Sequence, residues 1–207
     1  MSDPGDIAAV VLAAGSSSRF GSDKLLYPVT RQGVTLPLAV HSLLPWLNTF
    51  ERTTVVVRRG SEAFCSTITT ALASALGTSR SAAIRWQVCD CAELGMAASL
   101  ACGVHANRQA AGWLIGLADM PALPSVAISA VRDSLVDGAD LAATTCDGKR
   151  GHPVGFSSIY YEELLALQGD SGARSLVERD RSNLALIEIN SSGIHTDVDI
   201  PGDLQHL

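Results

Sequence analysis

The stretch VVLAAGSSSRFGSDKLL, residues 10–26, decides which fold this chain of 207 residues can form. It runs from a continuous apolar segment into a loop of glycine and serine, and then presents Arg19 and Lys24. An apolar segment without polar alternation is typical of a strand that is buried on both faces of a parallel sheet. A loop of small residues after such a strand exposes backbone N–H groups, which bind phosphate oxygens well. We therefore expect an α/β fold with an anionic ligand at this loop.

The rest of the chain repeats the alternation of short β-branched runs and longer helical patterns. Strands are predicted at 7–14, 53–59, 83–89, 112–118, 140–145, 152–156 and 184–189. Helices are predicted near 36–47, 61–76, 95–108, 124–136, 158–167 and 172–179. This order predicts a three-layer α/β/α Rossmann-like fold with a mainly parallel sheet, in a single domain over residues 1–207. Residues 77–81 are interpreted as a surface loop inside that domain.

Composition and charge exclude several classes of protein. The net charge of −6 leaves no general basic surface for nucleic acid, so an anionic ligand requires a local cluster of donors. Acidic residues stand near the start, where a signal peptide is basic, and the apolar runs are too short to span a bilayer. The five cysteines are an odd number, and the C-x-C of Cys89 and Cys91 lacks the second pair of a zinc site. We expect a reduced, cytoplasmic protein without a membrane partner.

The spacing in the first loop excludes two common phosphate loops. Gly15 and Gly21 are six residues apart and Lys24 is displaced from the second glycine, which does not fit a Walker A loop. The glycine spacing of a dinucleotide-binding fingerprint is also missing. What remains is L-A-A-G-x-x-x-R-x-G-x-x-K from Leu12 to Lys24, or else an ordinary turn followed by a surface arginine and lysine.

This pattern resembles the signature of nucleotidyltransferases that transfer NMP from an NTP to a phosphorylated acceptor. Further segments resemble the molybdenum cofactor cytidylyltransferase family of the MobA-like NTP transferase superfamily: 95–103, 116–123, 147–156, 167–176 and 197–204. The resemblance implies transfer of CMP from CTP to a molybdopterin-type cofactor, with Mg²⁺ as the metal and pyrophosphate as the leaving group. A molybdoenzyme that receives the product is a further implied partner.

The resemblance also assigns roles to residues. The nucleotide is expected at Leu12, Ala13, Ala14, Gly15, Arg19 and Lys24, with Arg19, Lys24 and Asp119 as the catalytic groups. Asp119 directly follows an apolar strand and is expected to bind the metal with Asp199, although Asp197 is an alternative second ligand and an N-cap is an alternative role for Asp119. Contacts with the acceptor or base are expected at Gly95, Met96 and Ser99, and a substrate-side loop at Gly151, His152 and Pro153.

Two alternatives to this function stay open. In the same class, the chain would transfer GMP, or use a sugar or alditol phosphate as acceptor. Guanylyl transferases of this type usually have Leu-Ala-Gly-Gly where this chain has Ala14 before Gly15, and the added methyl group leaves less room for a purine. In a different class, the chain would be a non-catalytic chaperone of the molybdenum cofactor, although a scaffold has no need of paired carboxylates beside cations.

Overall fold

The computed structural model describes residues 6–15, 20 and 23–206, with His206 described by its backbone alone. In chain order the described strands are β1 (Ile7–Leu12), β2 (Pro28–Arg31), β3 (Val34–Pro37), β4 (Thr53–Arg58), β5 (Ile84–Cys89), β6 (Gly112–Leu117), β7 (Leu141–Cys146), β8 (Lys149–Ser157) and β9 (Leu184–Glu188). Seven of them form one sheet in the order β5-β4-β1-β6-β8-β7-β9. β1 lies near its centre, as expected of a strand that is apolar on both faces.

The sheet is mainly parallel, as the sequence predicts. The pairs β5–β4, β4–β1, β1–β6 and β7–β9 are parallel. β8 runs antiparallel to both of its neighbours, β6 and β7. The start of β8 therefore lies at the same edge of the sheet as the carboxyl ends of β1 and β6. This edge is where ligands bind in open α/β sheets.

Helices cover both faces of the sheet and complete the predicted three layers. They are α1 (Leu38–Thr49), α2 (Glu62–Leu76), α3 (Thr78–Ser81), α4 (Met96–Ala106), α5 (Ser125–Val136), α6 (Tyr161–Ala166) and α7 (Arg174–Arg179). Alternate residues of β1 pack into two cores, one with α1, α2 and α5 and the other with α4, α6 and α7. None of the described helices is both long and apolar enough to cross a membrane.

One element was missed and one local prediction is wrong. The missed element is the β2–β3 hairpin, which lies before α1, the helix predicted near 36–47. Its turn is made by Gln32 and Gly33, both with positive φ, and its second strand ends at Pro37, so the helix begins at Leu38. The wrong prediction is the surface loop at 77–81, which contains the short helix α3; Ser81 is buried at the end of this helix, where its hydroxyl donates to the carbonyl of Thr78.

Candidate active site

Lys24 lies at the centre of a cluster formed by distant parts of the chain. It begins a short 3₁₀ turn, Lys24–Leu26, and is only 9% exposed. Its ammonium nitrogen Nζ donates to Asp119 Oδ2 at 2.8 Å, to the Val198 carbonyl oxygen at 2.7 Å and to Asp199 Oδ1 at 3.3 Å. Lys24 therefore contacts both Asp119 and Asp199. The sequence analysis expects all three residues at the site.

The sheet and two backbone contacts position the carboxylates of this cluster. Asp119 follows β6 by two residues, and its carbonyl accepts a hydrogen bond from the N–H of Val198 at 2.9 Å. The N–H of Asp199 donates to Asp203 Oδ2 at 2.7 Å, as does the N–H of Ile200 at 2.9 Å. Asp203 thus orients the chain where the 3₁₀ segment Pro201–His206 begins.

Burial makes the charge of Asp119 costly. Burial raises the pKa of its carboxyl group above the ordinary value, and the Lys24 ammonium partly opposes that rise. Its second oxygen, Oδ1, is shielded from solvent and has no hydrogen-bond partner in the described part of the chain. A buried carboxylate oxygen without a donor is stabilised by a cation, so this atom is available to one.

The donor set fits a cation that takes most of its ligands from a substrate. Within the described residues, no group of three or more histidine, cysteine or acidic side chains is arranged to hold a metal ion. Asp119 and Asp199 provide two carboxylates, and Mg²⁺ typically binds one or two carboxylates together with substrate phosphates and water. The two carboxylates therefore fit a divalent cation that takes its other ligands from a substrate and from water.

The predicted nucleotide loop begins where β1 ends. Leu12 is the last residue of β1, and the N–H of Ala13 donates to the carbonyl of Val56 at 2.8 Å. Ala14 is 9% exposed, whereas Gly15 is exposed and has open space where a side chain would begin. Arg19 lies outside the described residues, as do residues 16–18, 21 and 22, so its role stays a prediction.

A cavity of about 600 Å³ opens beside the cluster, at the same edge of the sheet. Its apolar wall includes Leu12, Ile115 and Phe156 from three neighbouring strands, and its polar wall includes Arg150 and Asp197. A cavity of this size and mixed character is typical of sites for organic ligands of moderate size.

The six residues predicted to contact the acceptor or base have different surroundings. Three line the cavity: Met96, Gly151 and His152. Ser99 is buried within α4. Gly151, His152 and Pro153 lie inside β8, in agreement with the strand predicted at 152–156, so the substrate-side loop that the resemblance implies is a strand there.

Gly95 has a structural role beside the cavity. It precedes α4 with φ of +112°, and a Cβ there would come within 2.6 Å of both Asp170 Oδ1 and the Gly169 carbonyl oxygen. The N–H of Ala97 also donates to that carbonyl at 3.0 Å. Gly95 therefore allows the start of α4 to pack against the loop at 169–172, which contributes Ser171 and Gly172 to the cavity.

Gly95→Ala should destabilise the fold more than Gly77→Ala. Gly77 is a matched control because its φ of +86° is also positive, but a Cβ added there would have nothing within 4 Å. Both variants incur backbone strain. Only in Gly95→Ala does the new methyl group also clash with the Gly169 backbone and the Asp170 side chain. We expect an additional cost of about 2 kcal/mol in the free energy of unfolding, measured by chemical denaturation. Equal losses in the free energy of unfolding for the two variants would show that the loop at 169–172 moves to accommodate the methyl group without cost.

His152 is held neutral where β8 borders the cavity. Burial is the main reason that the pKa of its imidazole falls from 6.5 to about 4; Asp197 opposes the shift, and Arg150 and His195 reinforce it. Nδ1 of His152 and Nε2 of His195 are shielded from solvent and lack hydrogen-bond partners in the described part of the chain. Protonating the ring would place a charge in surroundings that compensate it only in part, through Asp197.

Acid should therefore destabilise the wild type through His152. The unfolded chain binds a proton below about pH 6.5 and the folded chain only near pH 4, so stability present at pH 7 is lost as the pH falls through this window. We expect His152→Gln to remove about 3 kcal/mol of this loss between pH 7 and pH 4, as measured by urea denaturation. His105→Gln, at an exposed position, is the control. Identical acid dependence of His152→Gln and wild type would contradict the assignment.

Sequence reasoning missed several residues of the site. The Val198 carbonyl and the cavity residues Arg150 and His195 are absent from the predicted set, although all three lie inside or next to the segments that carried the resemblance. Their position in or beside these segments was the signal that could have identified Arg150 and His195. A backbone carbonyl carries no residue-specific signal at all.

Comparisons with known proteins identify relatives of this chain. A family model described as the MobA-like NTP transferase domain matches residues 9–184. The chain is 30% identical over 207 residues to purine catabolism protein PucB of Bacillus subtilis (strain 168), covering 94% of this chain and 92% of that protein.

Solved structures show the same fold. Rv0371c of Mycobacterium tuberculosis H37Rv has a TM-score of 0.79 at 22% identity, covering 98% of this chain and 97% of that chain. Its complex with manganese has a TM-score of 0.73 over the same shares of both chains. CMP:2-keto-3-deoxy-manno-octonic acid synthetase complexed with CTP has a TM-score of 0.68 at 12% identity, covering 97% and 96% of the two chains. The chain belongs to the MobA-like NTP transferase family and is a nucleotidyltransferase.

Proposed function

We propose that this nucleotidyltransferase transfers CMP from CTP to a molybdopterin-type molybdenum cofactor, with Mg²⁺ as the metal. The observation that carries the proposal is the contact of Lys24 with Asp119 and Asp199 next to a cavity of about 600 Å³. An oxygen of the acceptor phosphate attacks the α-phosphorus of CTP, the bond to the β-phosphate breaks, and pyrophosphate leaves. The reaction requires positioning and charge neutralisation more than covalent participation by the protein.

The phosphates of the nucleotide are assigned to the loop after β1. Gly15 is exposed and unobstructed, so phosphate oxygens are able to approach its backbone closely. Lys24 follows this loop and provides a compact positive charge for the triphosphate. Arg19 is proposed to bind two phosphate oxygens at once, on the strength of the sequence pattern.

Asp119 and Asp199 are proposed to hold Mg²⁺. When bound, the metal neutralises charge on the phosphates of the nucleotide and of the leaving pyrophosphate. Support comes from the shared contact of both carboxylates with one ammonium, and from the Asp119 oxygen that has no hydrogen-bond partner among the described residues. The manganese complex of Rv0371c, a protein of the same fold, also supports a divalent cation.

The acceptor is assigned to the cavity. Lys149, Arg150 and Arg174 line it together with apolar side chains of the sheet. In a chain with a net charge of −6, these three cations favour an acceptor that is itself anionic and has an apolar body. The segments 147–156 and 167–176, on which the resemblance to the molybdenum cofactor family depends, contribute these cations, so the same residues favour a molybdopterin-type acceptor.

Selection of cytosine over guanine is assigned to Ala14. This residue is 9% exposed, so its methyl group occupies space where β1 leads into the loop. CTP should be used in preference to GTP, and Ala14→Gly should narrow the ratio of their kcat/KM values by about tenfold, because one methyl group in a tight pocket is worth about 1–3 kcal/mol. Steady-state kinetics with both nucleotides measures the ratio. An unchanged ratio would place base selection elsewhere.

The direct test is to incubate the purified protein with Mg²⁺, molybdopterin cofactor and either CTP or GTP, and to identify the product by mass. The expected product is the cytosine dinucleotide form of the cofactor, together with pyrophosphate. A guanine product would favour the guanylyl alternative, and product formation only with a sugar or alditol phosphate would exclude the proposed acceptor. Retention of unmodified cofactor without turnover would favour a chaperone.

The five free cysteines favour a reduced compartment, and we propose the cytoplasm.

A further inference from the structure

We infer that Lys24 is an internal counter-ion, which occupies the cation position between Asp119 and Asp199 until the triphosphate of the nucleotide draws its ammonium away. The inference rests on the proposed function, because it assigns that position to the divalent cation. It adds an order of events: the carboxylates do not bind the divalent cation until nucleotide has bound.

The hydrogen-bonding capacity of the Lys24 ammonium is fully used inside the protein. An ammonium group has three N–H donors, and Nζ has three acceptors within 3.3 Å: Asp119 Oδ2, Asp199 Oδ1 and the Val198 carbonyl oxygen. The side chain is largely buried, with 11% of its surface exposed. Lys24 is therefore a fixed partner of the carboxylates rather than a mobile surface charge.

A divalent cation held by Asp119 and Asp199 would lie close to this ammonium. Mg²⁺ binds carboxylate oxygens at about 2.0–2.1 Å, so an ion on Asp119 Oδ2 would lie within about 5 Å of an ammonium nitrogen that is 2.8 Å from the same atom. Two positive charges so close in a buried site repel each other strongly. Binding of the metal to both carboxylates consequently requires the ammonium to leave.

The triphosphate is the group that is able to move the ammonium. Lys24 is connected through residues 20–23 to the loop that is proposed to hold the phosphates, so a bound triphosphate offers it several anionic oxygens nearby. When the ammonium turns to the phosphates, Asp119 and Asp199 lose their contact with it and become ligands for a metal. Nucleotide and divalent cation should therefore strengthen each other's binding, and the coupling is reciprocal.

The first test measures Mn²⁺ binding by calorimetry in the absence of any nucleotide. Wild type should bind Mn²⁺ weakly, and Lys24→Met should bind it at least tenfold more tightly, because methionine fills similar space without charge. Lys24→Arg keeps the charge and should bind as weakly as wild type. Lys149→Met removes the same charge from a residue that makes no contact with Asp119 or Asp199 among the described hydrogen bonds, and it should not gain affinity. Equal Mn²⁺ affinities of Lys24→Met and wild type would overturn the inference.

A second measurement uses the wild type and does not depend on the folding of a variant. The chain has two lysines, Lys24 and Lys149, so selective ¹³C labelling of lysine gives two sets of NMR signals, assigned through Lys149→Met. Mg²⁺ alone should leave the Lys24 signals in place, whereas CTP without metal should shift them. A shift caused by Mg²⁺ alone would overturn the inference.

These measurements separate the inference from the proposed function. Neither the Mn²⁺ titration nor the Mg²⁺ arm of the NMR experiment contains nucleotide or acceptor, so neither depends on turnover. If the CTP assay yields the dinucleotide but Lys24→Met gains no affinity for Mn²⁺, only the counter-ion role fails. If no dinucleotide forms while Lys24→Met binds Mn²⁺ tightly, the proposed reaction fails and the counter-ion role stands.

Discussion

Asp119→Asn should lower the rate of nucleotidyl transfer by about three orders of magnitude while the chain stays folded. The amide has nearly the same shape as the carboxylate but carries no charge, so it forms no ion pair with the Lys24 ammonium and binds a cation only weakly. The fold should survive, because Lys24 keeps its contacts with Asp199 and the Val198 carbonyl. Turnover at saturating Mg²⁺ measures the rate, and circular dichroism with thermal unfolding measures the fold.

Asp90→Asn is the matched control for this variant. Asp90 also follows a parallel strand, β5, at the same edge of the sheet, but it is exposed and pairs with Arg59. Exposed ion pairs contribute little to stability, and this one makes no contact with the lysine cluster among the described salt bridges. We expect Asp90→Asn to keep activity within about twofold of wild type. Wild-type-like activity in Asp119→Asn would rule out the role given to its charge.

The sequence was sufficient for the main elements of the fold because their signals are local and strong. The run before Gly15 is apolar on every residue, and the structure uses both faces of β1 to form two cores. The alternation of such runs with helical segments determines the layers. The edge that collects the site residues follows from the parallel arrangement, since the carboxyl ends of parallel strands lie together.

The parts that sequence analysis missed depend on contacts between distant segments or on weak local signals. The β2–β3 hairpin has short strands, and its turn pairs Gly33 with Gln32, a residue that seldom adopts positive φ. The ion pairs of Lys24 join residues 95 and 175 positions apart, which no local pattern reveals. Gly95 was assigned to the substrate by resemblance, whereas the structure shows a packing reason for glycine there, its close approach to Gly169.

The second carboxylate of the site is distinguished by geometry. Asp199 Oδ1 lies 3.3 Å from Lys24 Nζ, and Asp203 fixes its backbone. Asp197, two residues earlier, is exposed and lines the cavity, and its charge contributes to raising the pKa of Asp119. These surroundings favour Asp199 as the second proposed metal ligand, whereas Asp197 lies at the cavity that is proposed to hold the acceptor.

Asp199→Asn should therefore lower kcat by about two orders of magnitude, because it removes a charge that is proposed to act on the phosphates through the metal. Asp197→Asn should leave kcat nearly unchanged and lower the KM for the acceptor, since it removes a negative charge from a cavity that is proposed to bind an anion. Steady-state kinetics with the acceptor as the varied substrate separates the two effects, and each variant is the control for the other. If Asp197→Asn loses kcat and Asp199→Asn does not, Asp197 is the second ligand, and the contact of Asp199 with Lys24 belongs only to the nucleotide-free state.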